Sequence, residues 1–317
     1  MEITTGILIS MVGAIAATIA TIVALEESHI KYKRAIILCF ILLLVLLFWS
    51  QRNHFVCLMN QNTCSKATTP VKPDDKEKNN SLSSLMKEYN EGDIIKFGSW
   101  PVGEEAEDIE WEILEKKNDG TAIVLSSKVI DVKPYNTERK DITWAESSLR
   151  SWLNGEFYGK AFSPVEKDAI AETRLENKDN IGEFTQELVD YWKRWGVDVS
   201  SLLGQKWHTK GGEGTTDKIW LLSLDDMERY GRRFSTDASR VGKPTQYLAK
   251  KYNFCTSDVC KKNGVVGNAW WWLRSPGYNQ IDAASVNDDG FVTANGDYVD
   301  NDSGGVRAAL KINLKNL

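Results

Sequence analysis

The chain has 317 residues, of which 42% are hydrophobic and 26% charged, and its formal net charge is −5. This hydrophobic content excludes a wholly disordered chain, and the length suffices for one sizeable domain with an appendage. Residues 1–52 hold four basic and three acidic side chains, so the remainder carries −6. An acidic remainder is a poor partner for nucleic acid, so we expect no nucleic-acid ligand.

Two apolar runs open the chain. Residues 6–25 contain no charge and reach the roughly 20 residues that span a bilayer, and residues 35–49 form a shorter run. Lys31, Lys33 and Arg34 lie between the runs, which favours a cytoplasmic loop with both chain ends outside. A cleaved signal peptide is the alternative, but residues before the first run include no basic side chain. We therefore expect a transmembrane helical hairpin over residues 1–52, attached to the membrane through residues 6–49.

A polar linker is expected over residues 53–88. Residues 65–84 combine two prolines, dense charge and few apolar side chains, a composition that cannot bury a core. The folded domain then covers residues 89–317.

The cysteines indicate an oxidising compartment. Cys39 lies in the second apolar run, and the other four form two close pairs, Cys57 with Cys64 and Cys255 with Cys260. Short disulfide loops suit an extracytoplasmic segment, although four free thiols are the alternative. Neither pair has the Cys-x-x-Cys spacing of a redox or zinc site.

The domain begins with predicted strands. Residues 94–97 are the first strand, and residues 111–114 pair with residues 122–125 in a hairpin. The turn contains Asp119-Gly120, because glycine readily adopts the positive φ that a tight hairpin requires.

Capping signals predict two helices after this hairpin. Thr143 with Glu146 has the spacing of a capping box, and Ser163 with Glu166 repeats it, with Pro164 at the first helical position. Short helices are also expected over residues 225–230 and 245–252.

Residues 176–216 are interpreted as an insertion. Residues 183–195 within it carry aromatic and leucine side chains at helical spacing. We favour a helix that packs this stripe on the domain over a ligand platform.

The C-terminal quarter predicts a meander of very short strands at 284–286, 291–293 and 298–299. Clusters of Asn, Asp and Gly at 287–290, 294–297 and 300–305 are the expected turns. Flanking motifs are expected to be buried structural anchors through Trp271, Trp272, Arg274 and Arg307, with the polar middle exposed.

These motifs resemble a bacterial domain family of unknown function. Its members open with Gly-Asp-x-Ile-x-Phe-Gly, present here at residues 92–98, and close with Trp-Trp-Leu-Arg-Ser-Pro-Gly, at 271–277, and Gly-Val-Arg-Pro-Ala-Leu, at 305–310. Ala308 replaces the usual proline. The resemblance implies an α+β, C-type-lectin-like fold with short antiparallel strands and flanking helices. That fold is shared by formylglycine-generating enzymes and by the variable proteins of diversity-generating retroelements.

Tyr, Asn and Asp on firmly anchored loops are typical of binding surfaces, since they offer contact area and adaptable hydrogen bonds. The candidate ligand-binding residues are Tyr278, Asn279, Gln280, Asp282, Asn287, Phe291, Asn295, Asp297, Tyr298 and Asn301.

The composition argues against catalysis. Of the three histidines only His208 lies in the folded domain, so Ser-His, Cys-His and multi-histidine metal sites are hardly possible. Cys255 and Cys260 do not match the positions of the copper-binding pair in the formylglycine-generating relatives. Asp300 and Asp302 are weak calcium candidates, because Asp is equally the natural residue of tight turns. No cofactor is otherwise expected.

We therefore expect a bacterial cell-membrane protein with an extracytoplasmic lectin-like binding domain and no catalysis of its own. Its ligand would be a protein or a glycan on a cell or phage surface. Alternatives are a retroelement-diversified receptor surface, an accessory structural or sensory subunit of a membrane complex, and a formylglycine-generating-type oxidase.

Overall fold

The computed structural model describes residues 88–317, all within the compact unit Met86–Leu317. The predicted transmembrane hairpin, nearly all of the predicted linker and the pair Cys57 and Cys64 lie outside the described residues. Within residues 88–317, no helix is long and apolar enough to cross a membrane.

Fifteen strands occur in the described residues. In chain order they are β1 Ile94–Trp100, β2 Glu107–Lys116, β3 Thr121–Ser126, β4 Asp131–Val132, β5 Ile170–Ala171, β6 Thr173–Leu175, β7 Asn180–Glu183, β8 Lys206–Thr209, β9 Thr215–Asp217, β10 Ile219–Trp220, β11 Trp271–Pro276, β12 Asp282–Val286, β13 Val292–Tyr298, β14 Gly305–Val306 and β15 Ala309–Asn313.

Eight short α-helices connect these strands. They are α1 Ser148–Trp152, α2 Tyr158–Ala161, α3 Pro164–Ala169, α4 Gln186–Arg194, α5 Leu224–Arg229, α6 Asp237–Arg240, α7 Gln246–Lys251 and α8 Asp258–Asn263. The fold is therefore mixed α+β, as predicted.

The first sheet joins the beginning and the end of the domain. Its strand order is β1-β2-β3-β15-β10, with β5 also paired to β15, and every pairing is antiparallel. Ile109, Trp111 and Ile113 alternate inward along β2, which is the period expected of a half-buried strand. The predicted β2–β3 hairpin is confirmed, with Gly120 at φ +86° in its turn.

The second sheet contains the C-terminal motifs. Its order is β13-β12-β11-β14-β4, and β11 pairs with β14 in parallel. Every residue of β12 is buried, because this strand lies between β11 and β13 and both of its faces are covered. Two additional two-stranded sheets, β6-β9 and β7-β8, complete the topology.

The predicted turn over residues 294–297 is wrong. These residues continue β13, which pairs Asp297 with Ala283 and Thr293 with Ser285. The register shifts between these two pairs, and Gly296 adopts φ +73° there. Gly296, which indicated a turn in the sequence, therefore forms part of a β-bulge inside a longer strand. The predicted turn over 287–290 is present, with Gly290 N–H donating to the Asn287 carbonyl at 2.8 Å.

One of the two predicted capping boxes is present. Ser163 and Glu166 form it at the start of α3, with Pro164 in the first turn. The box at Thr143 is wrong, because its side chain makes no capping hydrogen bond and only a single 3-10 turn follows. Helix α1 begins instead after Ser147, whose side chain accepts the Arg150 N–H.

Candidate ligand-binding face

The tryptophan anchors lie in the main core. Trp271 and Trp272 are both fully buried on β11. Their indole N–H groups donate to main-chain carbonyls, that of Trp271 to Arg240 at 3.0 Å and that of Trp272 to Lys133 at 2.9 Å. Each ring therefore satisfies its polar atom inside the core.

The arginine anchors are also buried. Arg274 pairs with Asp226 and donates to the Leu221 carbonyl at 2.9 Å. The Arg307 guanidinium lies 4.8 Å from the Trp271 ring centroid. Burial lowers the pKa of Arg307 to about 10. Arg274 therefore joins β11 to helix α5 and to the segment before it, whereas Arg307 packs on β11 through Trp271.

The expected exposure of the segment between the anchors is largely wrong. Of the ten candidate ligand-binding residues only Tyr298 is exposed, at 43%. Asp282 and Asn295 are buried, and the other seven are half-buried. Most of the predicted binding surface thus faces other parts of the domain.

Helix α4 covers one part of that surface. Tyr191 stacks on Phe291 with ring centroids 4.0 Å apart. The Asn287 amide donates to the Tyr191 hydroxyl at 2.5 Å, and the Trp192 indole N–H donates to the Asn295 side-chain oxygen at 3.3 Å. The aromatic stripe of α4 packs on the domain, as predicted, and its contacts are the residues proposed for ligand binding.

The β7–β8 hairpin covers a second part. The Asn180 amide donates to the carbonyls of Pro276 at 2.8 Å and Ala294 at 2.7 Å. The Tyr278 ring lies 5.3 Å from that of Phe184 in an edge-to-face contact. Tyr278 therefore belongs to a small second core that contains Phe184, Leu188 and Trp207.

Gln280 likewise serves an internal contact. Its amide donates to the main-chain carbonyls of Ile142 and Lys210, each at 3.0 Å. It joins the C-terminal segment to two earlier loops.

The part of the predicted surface that stays accessible surrounds Tyr298. We call it the Tyr298 patch, and it consists of Arg139, Asn279, Asp297, Tyr298, Asp300 and Asn301, with the buried side chain of Asp282 beside them. The Arg139 guanidinium lies 3.9 Å from the Tyr298 ring centroid, and its Nε donates to Asp300 at 2.8 Å. This ion pair keeps the Arg139 guanidinium over the Tyr298 ring, and the remaining guanidinium N–H groups are available to a ligand.

Two carboxylates lie beside this stacked pair. Asp282 pairs with Tyr298 across β12 and β13, and Asn301 donates to Asp297 at 3.2 Å. Burial raises the pKa of Asp282 to about 6, with the negative charge of Asp297 as a further cause. Burial also raises the pKa of Asp297. Oδ2 of Asp282 has no hydrogen-bond partner among the described residues, so a buried acceptor is free at this point of the patch.

The calcium candidates do not converge. Asp300 accepts from Arg139, whereas Asp302 is exposed. Among residues 88–317 no three His, Cys, Asp or Glu side chains are grouped as metal ligands would be. The calcium site stays a prediction without geometric support.

The C-terminal cysteine pair is bonded. Cys255 and Cys260 form a disulfide with their Cα atoms 5.5 Å apart, at the start of α8.

Arg139 is the residue of the patch that sequence reasoning missed. It lies in a polar run between β4 and α1, 161 residues before its partner Asp300. No spacing within one element joins such residues, because the pairing of β14 with β4 brings their neighbourhoods together. A polar run after a short strand was the only local signal.

Comparison with known proteins gives a family without an activity. No curated protein and no solved structure matches the chain. A family model described as "Domain of unknown function (DUF6273)" matches residues 119–191 and 197–314. The match includes most of residues 176–216 and begins after the opening Gly-Asp motif. More than half of the chain is covered, so the protein belongs to this family of domains of unknown function.

Proposed function

We propose that the protein is a membrane-tethered, extracytoplasmic module that binds a protein or glycan ligand through the Tyr298 patch, without catalysis of its own. The observation that carries the proposal is the grouping of an exposed aromatic ring, a stacked arginine and a buried, unpartnered carboxylate oxygen. An exposed tyrosine offers a flat apolar face with a polar end, and such residues are enriched in binding surfaces.

The chemistry of the patch suits polar ligands with hydroxyl or amine groups. Asp282 and Asp297 accept hydrogen bonds, whereas the Arg139 guanidinium and the Asn301 amide donate them. A buried carboxylate oxygen without a partner, such as Oδ2 of Asp282 within the described residues, costs stability, so its retention is typical of a functional site.

We further propose that the fold is C-type-lectin-like. Two observations support this: the last long strand, β15, pairs with β3 beside the first strands, and late strands form a separate second sheet. The family match assigns no fold, so the proposed C-type-lectin-like fold depends on the topology and on the motifs. Fold alone would not assign an activity.

The disulfide supports an extracytoplasmic location, since such bonds persist mainly in oxidising compartments. The membrane tether rests on the apolar runs in residues 6–25 and 35–49.

The retroelement-diversified alternative receives less support. Asn287 and Asn295 make specific contacts with α4, so random substitution there would disturb packing. A diversified surface requires positions at which side chains can vary without loss of stability.

The proposal is tested by measuring binding of the full chain to glycan arrays and to bacterial cells. Tyr298→Ala should weaken binding more than about tenfold, as expected for a central aromatic contact. Tyr252→Ala is a matched control, because Tyr252 is 38% exposed and has Lys251 5.3 Å from its ring centroid. Equal effects of the two substitutions would reject the patch as the binding site.

A further inference from the structure

A second candidate site lies in a cleft of about 660 Å³ on another part of the domain. Ile123 on β3, Trp220 on β10 and Lys311 on β15 contribute one wall from the first sheet. Strand β6 and helix α5 contribute the others. The volume lies within the range of roughly 300–1,000 Å³ that is usual for small-molecule sites. None of the residues of the Tyr298 patch lines this cleft.

The cleft is more positive than the domain around it. Three acidic residues line it, Glu176, Asp225 and Asp226, against six basic ones. The basic residues are Lys117, Arg174, Lys178, Arg229, Arg274 and Lys311. Residues 88–317 as a whole contain 30 basic and 38 acidic side chains, so their net charge is −8. Two carboxylates just outside the lining reduce this excess from +3 to +1, since Glu115 pairs with Lys117 and Arg229, and Asp119 pairs with Lys311. The cleft therefore stays positive within a net-negative domain.

Part of this charge is not neutralised within the domain. Lys178 pairs with Asp225 at 3.0 Å, and Arg229 pairs with Glu115 at 2.9 Å. Arg174 is exposed and forms no ion pair with any residue of the described chain. Its guanidinium lies beside Gly214, where an added Cβ would come within 2.9 Å of it. Arg174 thus supplies the cleft with a guanidinium that no carboxylate of residues 88–317 neutralises.

A second observation points independently to a ligand. Arg274 is only 6% exposed, yet its Nε has no hydrogen-bond partner in residues 88–317. The Thr173 hydroxyl, on the adjoining wall, is also buried without a partner in these residues. Buried donors normally find an acceptor, so two such groups along one cleft indicate a place for an oxygen-rich ligand.

The cleft also has an apolar part. Leu175, Trp220 and Leu222 line it, and all three are buried hydrophobic residues of the main core. A ligand that fills the cleft therefore needs a carbon skeleton in addition to its charge.

We infer that this cleft binds a small organic anion, with its carboxylate or phosphate groups on Arg174 and Lys178 and its carbon skeleton toward Leu175 and Trp220. Guanidinium groups match both kinds of oxyanion through paired N–H donors. The inference is independent of the Tyr298 patch.

Titration calorimetry with the purified full chain tests the inference, with citrate and glycerol 3-phosphate as separate probes and glycerol as the uncharged control. We expect at least one anion to bind with a submillimolar Kd, about −4 kcal/mol or better. Which anion binds more tightly distinguishes a carboxylate site from a phosphate site. Glycerol should produce no heat of binding.

Two charge-matched variants locate the binding. Arg174→Gln with Lys178→Gln should weaken the bound probe more than about tenfold, which is about 1.4 kcal/mol. Lys261→Gln with Lys262→Gln removes the same charge from helix α8 and should leave Kd within about twofold. All four side chains are exposed, so neither variant should disturb folding.

Absence of binding by both anions at about 10 mM would overturn the inference. Equal weakening by the two variants would also overturn it, because it would show attraction by overall charge rather than by the cleft.

Discussion

Replacing Asp282 by Asn should stabilise the domain at neutral pH. The pKa of this carboxyl is raised from its ordinary value of 3.8 to about 6, chiefly by burial. At 1.36 kcal/mol per pH unit, holding the charged form in place costs about 3 kcal/mol at pH 8. Since an amide loses some of the hydrogen bonding of a carboxylate, we expect a gain of about 1–3 kcal/mol.

The gain should depend on pH in a defined direction. A carboxyl whose pKa is raised in the folded state lowers stability as pH rises from about 4 through about 6, and the cost is constant above that. Asp282→Asn should therefore match the parent protein near pH 4 and exceed it fully above pH 7. Asp288, whose pKa burial also raises to about 6, is present in both proteins and cancels from the comparison.

Urea unfolding of the full chain at pH 4.5, 6 and 8, followed by tryptophan fluorescence, measures this difference. Asp302→Asn is the control, because Asp302 is an exposed carboxylate on the neighbouring loop and its substitution should change stability little at any pH. A destabilised Asp282→Asn protein at pH 8, or a gain that does not change with pH, would show that the charged form of Asp282 does not destabilise the folded domain. If the patch binds ligand, the same substitution should also weaken binding.

Three further outcomes are expected from thermal or urea unfolding. Gly296→Ala should lower the free energy of unfolding by more than about 2 kcal/mol, because an added Cβ would lie 2.2 Å from the Ala283 carbonyl oxygen. Gly196→Ala is the control: Gly196 also has a positive φ but lies in open space, so this substitution should cost about 1 kcal/mol. Tyr278→Ala should lower the free energy of unfolding by about 1–3 kcal/mol, because its ring packs against the second core. Tyr298→Ala should cost less than about 0.5 kcal/mol, because Tyr298 is exposed. Similar losses for the two variants would contradict this difference in burial. Cys255→Ser should cost about 2 kcal/mol by opening the disulfide loop, and unchanged stability in reductant would argue that the bond does not contribute.

The sequence predicted those strands and helices whose formation depends on residues close together in the chain. The β2–β3 hairpin follows from Gly120 in a two-strand pattern, and α3 follows from the Ser163 capping box. The buried anchors Trp271 and Trp272 also lie where a run of large apolar residues would place them. In these cases the residues that form the signal make the predicted contact themselves.

The candidate site was less predictable because its exposure is decided by distant segments. Asn287 and Asn295 have the composition of a loop surface, but α4 lies over them and uses them as hydrogen-bond partners. Gly296 signals a turn in isolation, whereas the pairing of β12 with β13 places it in a bulge. Arg139 joins Tyr298 only through the order of the second sheet, which no short motif contains.

The ligand is proposed to contact the Tyr298 patch and not the surface beneath α4. Amide hydrogen exchange of the full chain, with and without a glycan or protein found in the binding screens, tests it most directly. We expect protection confined to the loop around Arg139 and to residues 297–303. Protection of residues 186–194 and 287–295, with none around Tyr298, would contradict it.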